Sequence, residues 1–238
     1  MTDLSFIIPA HNEADHLPVT LPALRTAAEE LGRPYEIIVV DDDSTDATPG
    51  IAAATGAQVL HVKLRHIAAV RNAGAAAAHG RYLIFVDADT TVPPGTLRAA
   101  WNALQQGAAA GGAYVDFDEA LGPPWRFMLG LWNFISRTQR WAAGCFIFTR
   151  REAFDAAGGF DERFFAAEEI VLSERLKKQG PFTILREPVL TSARKSHSTE
   201  ITQHLRVMLR TIATGGRAIQ RREGLDIWYG SQRVESGK

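Results

Sequence analysis

Four carboxylates in two close pairs, Asp41-Asp42 and Asp87-x-Asp89, hold most of the chemistry that this sequence can do. Each pair follows an apolar run, Ile37-Ile38-Val39-Val40 or Leu83-Ile84-Phe85-Val86, that reads as a buried strand. Acids crowded at the carboxyl edge of one sheet repel one another. They persist where a cation, a base edge or a protonated partner offsets that repulsion. An anionic ligand carried on a divalent metal would do so. Acids after strands also cap helices or make turns, and either pair alone fits that reading equally well. The two pairs together point to a site.

Bringing these acids together is the task of the surrounding elements. Residues 4–8 read as a buried strand ended by Pro9, and Asn12 or Asp15 is placed to cap a helix that runs to about Leu31, where Gly32-Arg33-Pro34 stops it. The alternation continues with a strand at 36–40, a helix at 46–54, a strand at 58–62, a helix at 68–78 and a strand at 82–86. Such alternation implies a parallel sheet with right-handed crossovers, whose ligands bind beyond the carboxyl ends of the strands. Pro9, Asp42 and Asp89 fall at those ends. After Pro93-Pro94 a helix is predicted to Gln106, then a strand of a second lobe at 112–117, an aromatic-rich stretch at 125–141 and an apolar strand at 145–148. A turn at 158–162 and a helix at 168–179, ended by Gly180-Pro181, follow. Residues 199–222 put Ile201, Leu205, Met208, Leu209 and Ile212 on one helical face, and five arginines make that segment basic.

The bulk properties narrow the possibilities. The 238 residues suffice for one substantial core, and no Ser/Gly-rich or Pro-rich linker divides them, so one domain with two lobes is expected. A formal net charge of -1 gives no reason to expect a nucleic-acid partner. The single cysteine, Cys145, excludes an internal disulfide and any multi-cysteine zinc or iron-sulfur centre, and its apolar neighbours suit a small core residue. No charged leader precedes a long apolar stretch, and no window approaches the roughly 20 apolar residues of a spanning helix. A soluble cytoplasmic protein is the expectation.

At this point the motifs match a family. Ile8-Pro9-Ala10-His11-Asn12-Glu13, Val40-Asp41-Asp42-Asp43-Ser44-Thr45-Asp46, Arg71-Asn72-x-Gly74, Asp87-Ala88-Asp89, Gly158-Gly159-Phe160-Asp161-Glu162 and Glu168-Glu169 occur in one order. The set resembles the family 2 glycosyltransferases of the GT-A fold. The resemblance implies an α/β fold with a mainly parallel central sheet flanked by helices: a Rossmann-like nucleotide-binding half at 1–90 and an acceptor-binding half at 91–198, followed by a basic amphipathic helix and tail at 199–238. It also implies transfer of a single sugar, usually with inversion, from a nucleoside diphosphate sugar to an acceptor hydroxyl. UDP- is the first choice of donor, with GDP- or dTDP- as alternatives. The acceptor, a lipid-linked or a small molecule, stays open.

The resemblance gives each residue a role. Asp89 is the preferred ligand of Mg²⁺ or Mn²⁺, which offsets charge on the leaving diphosphate. Asp87 contacts the donor or supports the metal, and Ala88 keeps the turn small. Arg71 would grip the diphosphate beside a helix N-terminus, with a surface ion pair as the plainer reading. Asp42 would accept the ring N-H of uracil, thymine or guanine, Pro9 and Ala10 would pack on the base, and Glu13 would reach toward base or ribose or else stabilise the first turn. Glu169 is the candidate base, in a position where related enzymes have aspartate, and Glu168 could bind the acceptor. His197 is a candidate third metal ligand, and Arg194 and Lys195 would close over the diphosphate. Val207 stands where chain-extending members carry tryptophan in Gln-x-x-Arg-Trp, which favours single transfer.

The stretch 125–132 reads as an acceptor lid, a membrane-surface helix or a core helix. With the C-terminal arginines it leaves peripheral contact at the inner membrane face open. Two competing readings remain: a haloacid-dehalogenase-like phosphatase with Asp87 as nucleophile, and a non-catalytic nucleotide-sugar binding protein.

Overall fold

The computed structural model describes residues 2–120 and 122–193. Its strands are β1 (Leu4–Ala10), β2 (Tyr35–Asp42), β3 (Gln58–Val62), β4 (Tyr82–Val86), β5 (Thr90–Thr91), β6 (Ala110–Phe117), β7 (Phe146–Arg150) and β8 (Phe182–Thr191). Its helices are α1 (Leu17–Leu31), α2 (Thr48–Ala54), α3 (Ile67–Ala77), α4 (Pro94–Gln105), α5 (Pro123–Gln139), α6 (Arg151–Ala157) and α7 (Glu168–Leu176). One eight-stranded sheet joins them in the order β3-β2-β1-β4-β7-β6-β8-β5. The first four positions are parallel, and β7 enters antiparallel beside β4. Beyond it, β6 is antiparallel to β7 and parallel to β8.

Both faces of the sheet are covered, which is why its central strands are apolar at every position rather than at alternate ones. Phe6, Ile8, Val39 and Ile84 face one way with Leu17, Leu21 and Leu24 of α1 and Leu97 of α4. Ile7, Ile38, Val40 and Phe85 face the other way with Ala68 and Val70 of α3, Phe154 of α6 and Leu172 of α7. The alternation carries through to the strand end, so Asp41 and Asp42 leave β2 on opposite faces, Asp42 on the α3 side. Gly74 lets α3 lie close to the sheet: a Cβ there would collide with Ile7 and Val40.

Several local expectations change. Pro9 does not end β1, which continues to Ala10. Its pairing with β4 stops at Ile7, so the missing N–H falls where one neighbouring strand has already left. His16, not Asn12 or Asp15, is the N-cap residue of α1, without a side-chain cap. The strand expected in a second lobe, β6, is hydrogen-bonded into the same sheet, and β5 straddles the boundary drawn at residue 90. Elements β5, β8 and α6 carry no clear periodic signal. In β8 the apolar alternation is broken at Arg186-Glu187-Pro188, where the register against β6 shifts between Ala113 and Val115 and the three residues bulge outward, exposed. Across from the bulge, Asn133 of α5 accepts the Val115 N–H at 3.0 Å and donates to the Val115 carbonyl at 2.9 Å, taking the place of a strand. The expected helix at 199–222 lies outside the described residues.

Gly74→Ala tests the close approach of α3. Helix propensity favours alanine by about 1 kcal/mol, while overpacking costs about 1–3 kcal/mol. The variant should lose up to about 2 kcal/mol in urea denaturation, and a gain would refute the tight contact.

Candidate active site

One turn into α3, Arg71 turns inward under the carboxyl rim and is 3% exposed. Its Nη1 donates to Glu168 Oε1 at 2.6 Å, and its Nη2 donates to Asp87 Oδ1 at 2.8 Å and to the Gly144 carbonyl at 3.0 Å. The guanidinium also lies 5.2 Å from the centre of the Phe160 ring. This is a buried ion network, not the surface pair offered by the plainer reading. Burial alone would lower the Arg71 pKa, but Asp87 and Glu168 outweigh it and raise it.

Glu168 and Glu169 open α7 behind Ala167, whose φ of 56° is left-handed. Glu168 is buried and bonded to Arg71. Glu169 comes to the same place from the next position: a Cβ built on Gly144 would lie 3.7 Å from its carboxyl carbon and 3.3 Å from Arg71 Nη2. The single guanidinium already faces two carboxylates, so a third negative charge has nothing left to balance it. Burial, and then repulsion from Glu168, push the Glu169 carboxyl up to about 8, against the opposing pull of Arg71. A proton acceptor tuned toward neutral pH is what this environment makes.

Asp87-Ala88-Asp89 forms a tight turn between β4 and β5. The Asp87 N–H donates to the Cys145 carbonyl at 3.2 Å, and its carbonyl accepts the Thr90 N–H at 3.0 Å. Ala88 is buried, as its small size predicts. The Asp89 carbonyl accepts the Ser192 N–H at 2.9 Å, which fixes the turn against the end of β8. Among the described residues, no three His, Cys, Asp or Glu side chains gather around a cation position. Asp87 is claimed by Arg71, and a guanidinium there repels a metal. Asp89 is the other carboxylate of this turn and would be the one to hold a divalent cation. His197, Arg194 and Lys195 lie outside the described residues.

Two strand spacings away, about 10 Å, the ends of β1 and β2 form the other half of the rim. Asp42 is buried, and its Oδ1 accepts the N–H groups of Leu64 at 2.7 Å and Arg65 at 3.1 Å. Its carbonyl accepts a proton from His11 Nδ1 at 2.9 Å, so His11 Nε2 is left to accept from Arg65 and Asn12. Pro9 and Ala10 are both buried, Ala10 within the core. The Glu13 carboxylate lies 3.0 Å from His16 Nδ1, beside the start of α1. Asn12, Asp43 and Arg65 all have positive φ, an unusual concentration of left-handed non-glycine residues in three adjacent loops.

His11, Arg65, Gly144 and Phe160 belong to this rim but were not singled out by type and spacing. Only their places within or beside the motifs marked them. Asn72 and the turn at 158–162 prove to be one unit: Asn72 donates to the Phe160 carbonyl and accepts its N–H, both at 2.9 Å.

Comparison with known proteins bears on what such a rim does. Residues 5–158 match the family described as Glycosyl transferase family 2. The N-acetylglucosaminyl-diphospho-decaprenol L-rhamnosyltransferase of Mycobacterium tuberculosis is 28% identical over 84% of this chain and 78% of its own length. Other curated relatives match over a shorter stretch, the chain spanning 30 to 34% of their length. Among solved structures, S. aureus TarS 1-349 in complex with UDP-GlcNAc superposes with a TM-score of 0.61 at 20% identity, over 78% of this chain and 56% of that one. A Pyrobaculum calidifontis mannosyltransferase in complex with GDP-Man and Mn²⁺ gives a TM-score of 0.64 at 20% identity, over 80% and 56%. The fold is GT-A.

The raised Glu169 pKa has a stability signature. The unfolded chain ionises this carboxyl near 4.5, and the folded chain only near 8, so the folded state holds the extra proton between those values. Stability should fall as pH rises through that window. Glu169→Gln should remove the fall and raise stability at its upper end by on the order of 1–2 kcal/mol in urea melts. Equal slopes in both proteins would contradict the network.

Proposed function

Since the chain belongs to the family 2 glycosyltransferases, we propose that it moves a single sugar from a nucleoside diphosphate sugar to an acceptor hydroxyl, with inversion at the anomeric carbon. The observation that carries this reading is the convergence of Glu169, with its raised pKa, on the Arg71–Asp87 pair, one residue from Asp89. UDP- is the preferred donor, with GDP- or dTDP- as alternatives, because Asp42 accepts a ring N–H that cytosine and adenine lack. The Asp42 Oδ1 bonds to the 64–65 backbone fix that carboxylate in place for the base.

Bound Mg²⁺ or Mn²⁺ would supply positive charge to the departing diphosphate, held to the protein by Asp89. Asp87 orients Arg71 and the donor beside it. Glu169, once ionised, takes the proton of the attacking hydroxyl on the side opposite the leaving group. Glu168, expected on the acceptor side, is buried and positions Arg71 instead. Family membership removes the phosphatase alternative, and Asp87, clamped by Arg71, is a poor nucleophile. No helix among the described residues is long and apolar enough to cross a membrane.

Two measurements follow. UDP or GDP at a hundredfold excess over Kd should raise the melting temperature by about 5–10 °C, only with Mn²⁺ or Mg²⁺ present and not in Asp89→Ala; indifference to both nucleotides would overturn the transferase reading. With a competent donor, kcat/KM should climb about tenfold per pH unit until Glu169 ionises near 8. Glu169→Gln should lower turnover by about 10²–10⁴-fold. Retained turnover would remove Glu169 as the base and leave a different proton acceptor to be sought.

A further inference from the structure

Two neighbouring stripes run along α5. Arg126, Gly130 and Asn133, spaced i, i+4 and i+7, line a cleft of about 280 Å³ that Tyr114, Asp116 and Arg186 close from β6 and β8. One position further on, about 100° around the helix, Phe127, Leu131 and Phe134 repeat the spacing and are 72, 42 and 66% exposed. The core-helix reading fits only one side of this stretch, since these rings and this leucine face outward. Leu129 and Trp132, on a third stripe, make the contact with the core.

The cleft is electropositive. Arg126 and Arg186 are exposed, and no described residue bonds or pairs with either guanidinium. Asp116, the one acid in the lining, accepts the Phe117 N–H at 2.9 Å through Oδ1. Arg186 reaches the cleft because the β8 bulge carries it out of the sheet. Asp116 is in register with Leu190, and Leu190 with Thr91, so the cleft lies two strand spacings, about 10 Å, from the strand that follows Asp89. A group held there sits beside the reacting centre rather than in it.

We propose that this cleft grips the phosphate of a lipid-linked acceptor, whose hydrocarbon lies along Phe127, Leu131 and Phe134; the assignment rests on the transferase reading above. Paired guanidinium forks match phosphate oxygens. An apolar stripe next to a polar one that carries Arg126, with Arg186 added from β8, suits a helix lying at a membrane interface. The donor diphosphate is not the occupant, because it belongs with Asp89 across β8.

The test is flotation of the full chain with phosphatidylcholine vesicles, with vesicles containing phosphatidylglycerol, and with vesicles doped to the same charge with a polyprenyl phosphate. Binding should be strongest to the polyprenyl phosphate, weaker by about fivefold in Arg126→Gln or Arg186→Gln, and weaker by about 30-fold in the double variant. Phe127→Ser/Phe134→Ser should weaken it too, by a route that leaves the charge unchanged. Equal binding to phosphatidylglycerol would assign the cleft to bulk headgroups and overturn the proposal, as would a double arginine variant that floats like the parent. The nucleotide thermal shift of the parent protein, read separately, distinguishes failure of this inference from failure of the transferase reading.

Discussion

A single buried guanidinium ties together the acids that follow β4 and open α7. Arg71 holds Asp87 from the turn after β4, Glu168 from the start of α7 and the Gly144 carbonyl from the approach to β7. Two carboxylates share one cation, so the site is already one negative charge in excess before Glu169 is counted. Removing either partner of such a pair strands a charge in low dielectric, which costs about 3–5 kcal/mol. Alternative placements of these three segments are thereby disfavoured, and burial, with the same imbalance adding to it, pushes the neighbouring Glu169 carboxyl up to about 8. Structure and reactivity have one electrostatic origin here.

That arrangement divides labour among the acids. Asp87 and Glu168 are committed to Arg71, and the proposed roles of cation ligand and proton acceptor fall to Asp89 and Glu169. At the far side of the rim Asp42 is held by two backbone N–H groups and His11 by the Asp42 carbonyl, so the loops after β1, β2 and β3 form one hydrogen-bonded unit. Left-handed Asn12, Asp43 and Arg65 are the local strain that this unit maintains.

The first half of the fold was legible because β1, β2 and β4 carry apolar runs, β3 mixes apolar and polar positions, and each crossover helix lies between clear stops. The carboxylate pairs were legible as a site for the same reason, since strand ends locate them. What the sequence hid has physical causes. Pro9 reads as a stop, yet a strand tolerates it where one neighbour has ended. Strand β8 hid behind Arg186-Glu187-Pro188, which break the alternation because they bulge. Arg71 reads as a phosphate-gripping or surface residue, because nothing local reveals that Glu168, 97 positions on, will fold against it. Gly144 carries no side chain to announce that its carbonyl completes the network.

Asn133 has a consequence for motion. A strand at this edge would be sewn on through many backbone bonds, whereas α5 is bonded to β6 through two side chains, Asn133 to both backbone groups of Val115 and Arg137 to the Tyr114 hydroxyl. Movement of α5 would therefore break side-chain bonds and leave the backbone ladder of the sheet intact.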